Sequence, residues 1–219
     1  MFRNVHILSE KPSVLCQWLA EIRDQNMQQD AQRFRRNMER VGEVAALAIS
    51  RTMDWQERTV ETPLAQAHCR VLREQPVLAN ILRAGLPLHQ GLLNYFDRAE
   101  NAFISAYRKH EAGSDEFEVE IEYLSSPSVA GKTVILCDPM LATGSSMVLA
   151  WKALLARGVP GSLHVVAVIA SREGIEFAQQ NMPPETQYWI AAVDDELTPR
   201  KYIVPGLGDA GDLAYGAKD

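Results

Sequence analysis

The chain has 219 residues, enough to bury the core of one sizeable α/β domain, and its 47% hydrophobic and 23% charged composition is ordinary for a globular protein. A net charge of −6 gives no general attraction to nucleic acid or anionic lipid, so neither is expected among its partners. No apolar run approaches the roughly 20 residues of a spanning helix. The start, MFRNVHILSEKPS, lacks the apolar core of a signal peptide, and Cys16, Cys69 and Cys137 show no pairing pattern, so a cytoplasmic location is expected.

Residues 30–49 place Phe34, Met38, Val41, Ala45 and Ala48 at helical spacing, with Arg33, Arg35, Arg36, Glu39, Arg40 and Glu43 mostly off that face. This predicts an amphipathic helix. VLANIL (77–82) reads as a buried strand, RAGLPLHQGLLNYF (83–96) as a helix entered through a glycine-containing turn, and AFISAY (102–107) as another strand. FEVEIEYL (117–124) alternates, with Phe117, Val119, Ile121 and Tyr123 on one face and Glu118, Glu120 and Glu122 on the other, as in a strand with one wet face. With AGSD (112–115) as the turn, it forms the second arm of a hairpin whose first arm is about 104–110. The acidic residues of this arm, Glu116 included, should point outward.

Strand TVILC (133–137) then precedes a helix over 145–157, stopped by Gly158 with Pro160 beyond. HVVAVIA (164–170) precedes a helix over 173–181, and YWIAAV (188–193) precedes an irregular tail. Short, continuously apolar strands alternating with helices predict an α/β fold: a mostly parallel central sheet with helices on both faces and one hairpin inserted at its edge. The whole chain, 1–219, reads as a single domain, with the hairpin at about 104–124 and the tail at about 194–216.

Two motif matches fail on context. GKT (131–133) resembles the end of a P-loop, but position 126 is serine and a strand follows rather than a helix. GLGDAG (206–211) has the letters of a dinucleotide-binding fingerprint, yet too few residues follow it to build a βαβ unit. His6, His68, His89, His110 and His164 are scattered without metal-ligand spacing, and no residue is assigned to a metal.

The chemistry concentrates in VILCDPMLATGSSMV (134–148). In a parallel sheet, ligands bind beyond the carboxyl ends of the strands. Asp138 stands at such an end, and Thr143, Gly144, Ser145 and Ser146 lie where the next helix begins. Amides at a helix N-terminus with small hydroxyl side chains make an anion site. An acid beside that cradle would repel phosphate, so it should face hydroxyls or a metal. A ribose carrying a 5′-phosphate meets both demands.

CDPMLATGSS closely resembles the phosphoribosyl-diphosphate loop of the uracil phosphoribosyltransferases, usually D-P-M-L-A-T-G-G-S, and KYIVPGLGDAGDLAYG (201–216) resembles their uracil-binding segment. ILRAGL (81–86) and AYRKHE (106–111) resemble two further stretches, each with a ligand-binding arginine. The resemblance implies a type I phosphoribosyltransferase fold, a protruding hairpin and a C-terminal base-binding loop. It implies transfer of phosphoribose from 5-phosphoribosyl diphosphate to uracil, giving UMP and diphosphate. Mg²⁺ would be held mainly through the diphosphate and water. By the same resemblance the donor is bound by Arg83, Arg108, Asp138, Pro139, Met140, Leu141, Ala142, Thr143, Gly144, Ser145, Ser146 and Asp209. Ile203, Gly208, Asp209 and Ala210 bind uracil, with Asp138, Asp209 and Arg108 central to catalysis. A homodimer or homotetramer is expected for this chain.

Serine at 145 stands where the family usually has glycine, Thr198 where asparagine is common, and Lys201 where glycine is common. Three other readings stay open on sequence: a uridine-nucleotide sensor that binds RNA, the same transfer to a purine, and an inactive paralogue with the same fold.

Overall fold

The computed structural model describes residues 3–110 and 117–217, the side chains of 106–110 and 117–120 lying outside that description. In chain order, β1 (Val5–Ile7) is followed by α1 (Val14–Arg23), α2 (Ala31–Ser50), β2 (Trp55–Glu61), β3 (Gln66–Leu72), β4 (Val77–Leu82), α3 (Leu86–Tyr95), β5 (Glu100–His110) and β6 (Phe117–Ser125). Then come β7 (Thr133–Cys137), β8 (Met140–Leu141), α4 (Ser145–Leu154), β9 (Ser162–Ser171), α5 (Arg172–Asn181), β10 (Gln187–Asp194), β11 (Glu196–Leu197), β12 (Ile203–Val204) and α6 (Ala210–Tyr215). The main sheet has the order β1-β10-β9-β7-β4-β5-β6, with β8 beside β9. Its pairings are parallel except the antiparallel β5–β6.

VLANIL and SLHVVAVIAS are buried along almost their whole length because helices cover both faces. Successive residues of a strand point to opposite faces. Leu78 therefore joins Phe34, Met38, Leu88 and Leu92 under α2 and α3, while Val77 and Ala79 join Met147, Trp151 and Ile175 under α4 and α5. Each fully buried Leu, Phe or Met contributes roughly 1.5–3 kcal/mol, so the two cores fix the sheet and with it the strand ends. The α1 helix is tied to α2 by Glu21, which accepts from Arg33 at 2.9 Å and from Asn37 at 2.7 Å; these bonds, Arg33 foremost, bring its carboxyl down to about 2.

The α/β architecture and parallel sheet match the sequence expectation, with five local corrections. The edge hairpin is not alone, since β2 and β3 pair antiparallel as a separate two-stranded sheet. The helix expected over 83–96 begins at Leu86, because Pro87 suits only a first turn, and this leaves Arg83 in the preceding loop. The helix expected over 145–157 ends at Leu154 and continues as a single 3₁₀ turn, Leu155–Arg157, before Gly158. The tail is ordered rather than irregular, with β11 paired to β12 and α6 after them.

The fifth correction concerns β6. A β-bulge sets Ser105 opposite Tyr123 but Ala106 opposite Ile121, so one extra residue breaks the alternation. As a result Ile121 and Leu124 pack on the core, while Tyr123 is 54% exposed. Glu122 is exposed, and AGSD (112–115) and Glu116 lie outside the described residues.

His164 in β9 is buried, and its Nδ1 accepts from Trp189 Nε1 at 3.0 Å, a bond that requires the neutral ring. Burial, helped by nearby His6, lowers its pKa from 6.5 to about 4. As pH falls, the unfolded chain takes up this proton first. Stability from this group is therefore complete above about pH 6.5 and is lost down to about pH 4, by roughly 3 kcal/mol. In urea melts across that range, His164→Gln should show a shallower pH dependence than the parent; identical slopes would remove His164 as the cause.

Candidate functional site

Three segments meet beyond the carboxyl ends of the parallel strands: the loop after β4, the turn after β7, and the tail from Lys201 onward. They enclose a cavity of about 460 Å³. Its lining includes Arg83, Asp138, Met140, Leu141, Ala142, Thr143, Gly144, Ser146, Ile203, Gly208, Asp209 and Ala210, all named from sequence, and also Lys201 and Tyr202. Pro139 and Ser145 stand back from the lining. Arg108 lies in β5 opposite Val119, its side chain outside the described residues.

The turn after β7 is held by the neighbouring strand. Asp138 N donates to Val166 O at 3.1 Å, and Pro139 O accepts from Val168 N at 3.1 Å and Ile169 N at 3.0 Å. Pro139 thus serves the turn through its backbone. Ser171, buried at the end of β9, does two jobs that sequence reading missed: its Oγ caps α5 by accepting from Gly174 N at 2.8 Å and donates to Ala142 O. Gly144 then turns the chain with φ 81°. A Cβ there would also sit 2.8 Å from Gly174 O, so both the backbone angle and the packing call for glycine. The α4 helix starts at the next residue, which places its N-terminal amides at the cavity wall.

Beneath Asp138, Cys137 is fully buried and donates to Asn80 Oδ1 at 3.6 Å. Burial, reinforced by the Asp138 charge, pushes its thiol well above the usual range, so it is no nucleophile. Arg83 Nη2 donates to Gly216 O at 2.6 Å and to Asp212 at 3.3 Å, binding the loop after β4 to the C-terminal segment. Its buried Nε has no hydrogen-bond partner among the described residues, a donor that an anion would satisfy.

The tail is anchored by groups that the sequence reading did not name. Asp194, at the end of β10, accepts from Arg23 at 2.7 and 2.8 Å and from Gly206 N at 2.9 Å, while Arg23 also donates to Gly206 O at 3.0 Å. Both peptide groups of Gly206 are thereby held. Asp209 caps α6, its Oδ1 accepting from Gly211 N at 2.8 Å and Asp212 N at 3.0 Å. Among the described residues no three His, Cys, Asp or Glu side chains gather as a metal site.

A family model described as uracil phosphoribosyltransferase matches residues 9–217. The chain belongs to the uracil phosphoribosyltransferase family. A relative of that name from Porphyromonas gingivalis is 53% identical over 214 residues, 98% of each chain. Another from Thermococcus gammatolerans is 36% identical, covering 98% of this chain and 94% of its own. A solved structure from Aquifex aeolicus superposes with a TM-score of 0.85 at 28% identity, covering 97% of this chain and 98% of that one. A hypoxanthine phosphoribosyltransferase from Staphylococcus aureus shares the fold at a TM-score of 0.50 and 14% identity, covering 73% of this chain and 74% of that one.

Within this uracil phosphoribosyltransferase family member, the two departures at family glycines differ in kind. Ser145 opens α4 without positive φ, and its N and Oγ both meet Thr143 Oγ1, at 3.4 and 3.1 Å. Lys201 has φ 64°. Ser145→Gly should therefore keep UMP formation within a few-fold and lower Tm by about 1–3 °C, since glycine only adds unfolded-state freedom. A variant both more stable and much faster would show that the serine is strained after all.

Proposed function

We propose that this chain transfers phosphoribose from 5-phosphoribosyl diphosphate to uracil, releasing diphosphate and UMP. The observation that carries the reading is the single cavity joining the anion turn at the start of α4 to the held tail around Gly208 and Asp209. The protein is a pentosyltransferase of its family. In this reading the amides and hydroxyls of 142–146 receive the 5′-phosphate, and Asp138 receives ribose hydroxyls. Arg83 and Arg108 meet the diphosphate, for which a guanidinium is well shaped.

The C1′–O bond breaks as positive charge develops on the ribose ring. The leaving diphosphate takes the electron pair, uracil N1 closes on C1′, and the N1 proton is released to solvent. Mg²⁺ would ride on diphosphate oxygens and water, spreading the charge of the leaving group. The donor set fits that arrangement, since two carboxylates, Asp138 and Asp209, line the cavity. Uracil lies against Ile203, Gly208 and Ala210, whose backbone groups match its carbonyl and N–H edges. Cytosine leaves one of those groups unpaired, at roughly 1–3 kcal/mol each.

The chain acts as one domain in a homodimer or homotetramer, in the cytoplasm; no helix among the described residues is long and apolar enough to cross a membrane. The test is direct. Purified protein with labelled uracil, 5-phosphoribosyl diphosphate and Mg²⁺ should yield labelled UMP, and labelled hypoxanthine should yield no nucleotide. No product from uracil, or a faster one from hypoxanthine, overturns the reading.

A further inference from the structure

Among the described non-glycine residues, positive φ occurs at Asn4 and Lys201, at 55° and 64°. Asparagine enters this region through local hydrogen bonds of its short side chain, whereas lysine has no such help. The backbone of the β11–β12 turn does not ask for lysine. Lys201 N donates to Thr198 O at 2.8 Å and Thr198 N to Tyr202 O at 2.8 Å, bonds that glycine would make equally well. A strained residue held at a ligand cavity is a reason to ask what its side chain does there.

Lys201 is one of the residues lining the substrate cavity, together with Thr143 and Gly144. Its Nζ is 3.4 Å from Glu173, an exposed pair in which the two side chains are 42% and 59% accessible, so little holds it in place. Glu173 is in the first turn of α5, and the carbonyl of the next residue, Gly174, abuts Gly144. The ammonium is thus carried to the side of the cavity where α4 begins. Apart from Arg83, which is drawn to the C-terminal segment, Lys201 is the cation among the described lining residues; Asp138 and Asp209 oppose them.

We infer that Lys201 is a further phosphate-binding residue of this site, its ammonium leaving Glu173 for the 5′-phosphate of the nucleotide. The inference rests on the phosphoribosyl-transfer reading. It accounts for a lysine in a conformation that favours glycine, because position 201 lines the cavity and only a side chain there can bring a cation to it.

The test separates phosphate from base. UMP and uridine are titrated against the parent protein, Lys201→Gln and Lys201→Gly, with Tm measured for each. UMP binding should weaken about five- to tenfold in both variants, in line with losing one partly screened charge-assisted contact. Uridine affinity should stay unchanged, and Lys201→Gly should melt no lower than the parent. Unchanged UMP affinity, or equal losses for UMP and uridine, overturns the role of Lys201 while leaving the transferase reading intact. A parent protein that binds no UMP overturns that reading itself.

Discussion

Asp209→Asn is expected to stay folded and to lose at least about tenfold in turnover, which corresponds to about 1.4 kcal/mol of transition-state stabilisation. The fold should survive because an asparagine Oδ1 can accept the same two amides, from Gly211 and Asp212, that the carboxylate accepts now. What disappears is the negative charge on the cavity wall, and with it hydrogen bonds to ligand that a charged acceptor makes more strongly, at about 1.5–3 kcal/mol each against about 0.5–1.5 for a neutral one. Asp209→Ala supplies the contrast. It removes charge and cap together, so it should lose about 1 kcal/mol of stability as well as the activity. Initial rates of UMP formation and thermal melts on the two variants check both halves. A near-parental rate in Asp209→Asn would take the carboxylate out of the chemistry and leave it only as the cap of α6.

Much of the fold was legible because burial writes itself into strands as continuous apolar runs. VLANIL and TVILC coincide with β4 and β7 residue for residue. The missing pieces have physical reasons. WQERTVE and QAHCRVL form a hairpin with no buried residue, mostly exposed, so no apolar alternation marks it. The bulge in β6 turns on pairing with β5 and leaves no trace in the alternation of FEVEIEYL. The α1 helix did carry a signal that went unread: Ser13 as its cap, then Leu15, Leu19 and Ile22 on one buried face.

The cavity lining was legible where its residues lie close together in sequence, as at Asp138 and from Met140 to Gly144, and its supports were illegible wherever they join segments far apart in the chain. Arg23 and Asp194 are 171 positions apart, and neither lies in a stretch that resembles a binding motif. Ser171 was hidden for the same reason, since its partner Ala142 belongs to another strand end. Local letters name the groups that line the cavity; tertiary contacts decide which groups hold them still.

Asp194→Asn tests that distinction. The carboxylate is 6% exposed and binds an arginine that is itself 25% exposed, so removing its charge leaves a half-buried cation poorly paired. Breaking a buried pair from one side costs about 3–5 kcal/mol, and partial access of water to Arg23 brings the expectation to about 2–3 kcal/mol, or a Tm lower by about 4–10 °C. The effect on function should be selective. An asparagine has one acceptor oxygen to share between Arg23 and Gly206 N where the carboxylate has two, so Gly206 is held less firmly, and the residues that follow it, Gly208 to Ala210, are those that face uracil in the proposed mode. KM for uracil should therefore rise more than about tenfold, while KM for the phosphoribosyl donor moves less, since the turn after β7 is held by β9 instead. The double variant Arg23→Met, Asp194→Leu separates charge from positioning. It removes both ions and should recover much of the stability. It restores no partner to Gly206, so uracil binding should stay weak. Recovery of uracil KM together with stability would show that the pair only stabilises the fold and does not position the base loop.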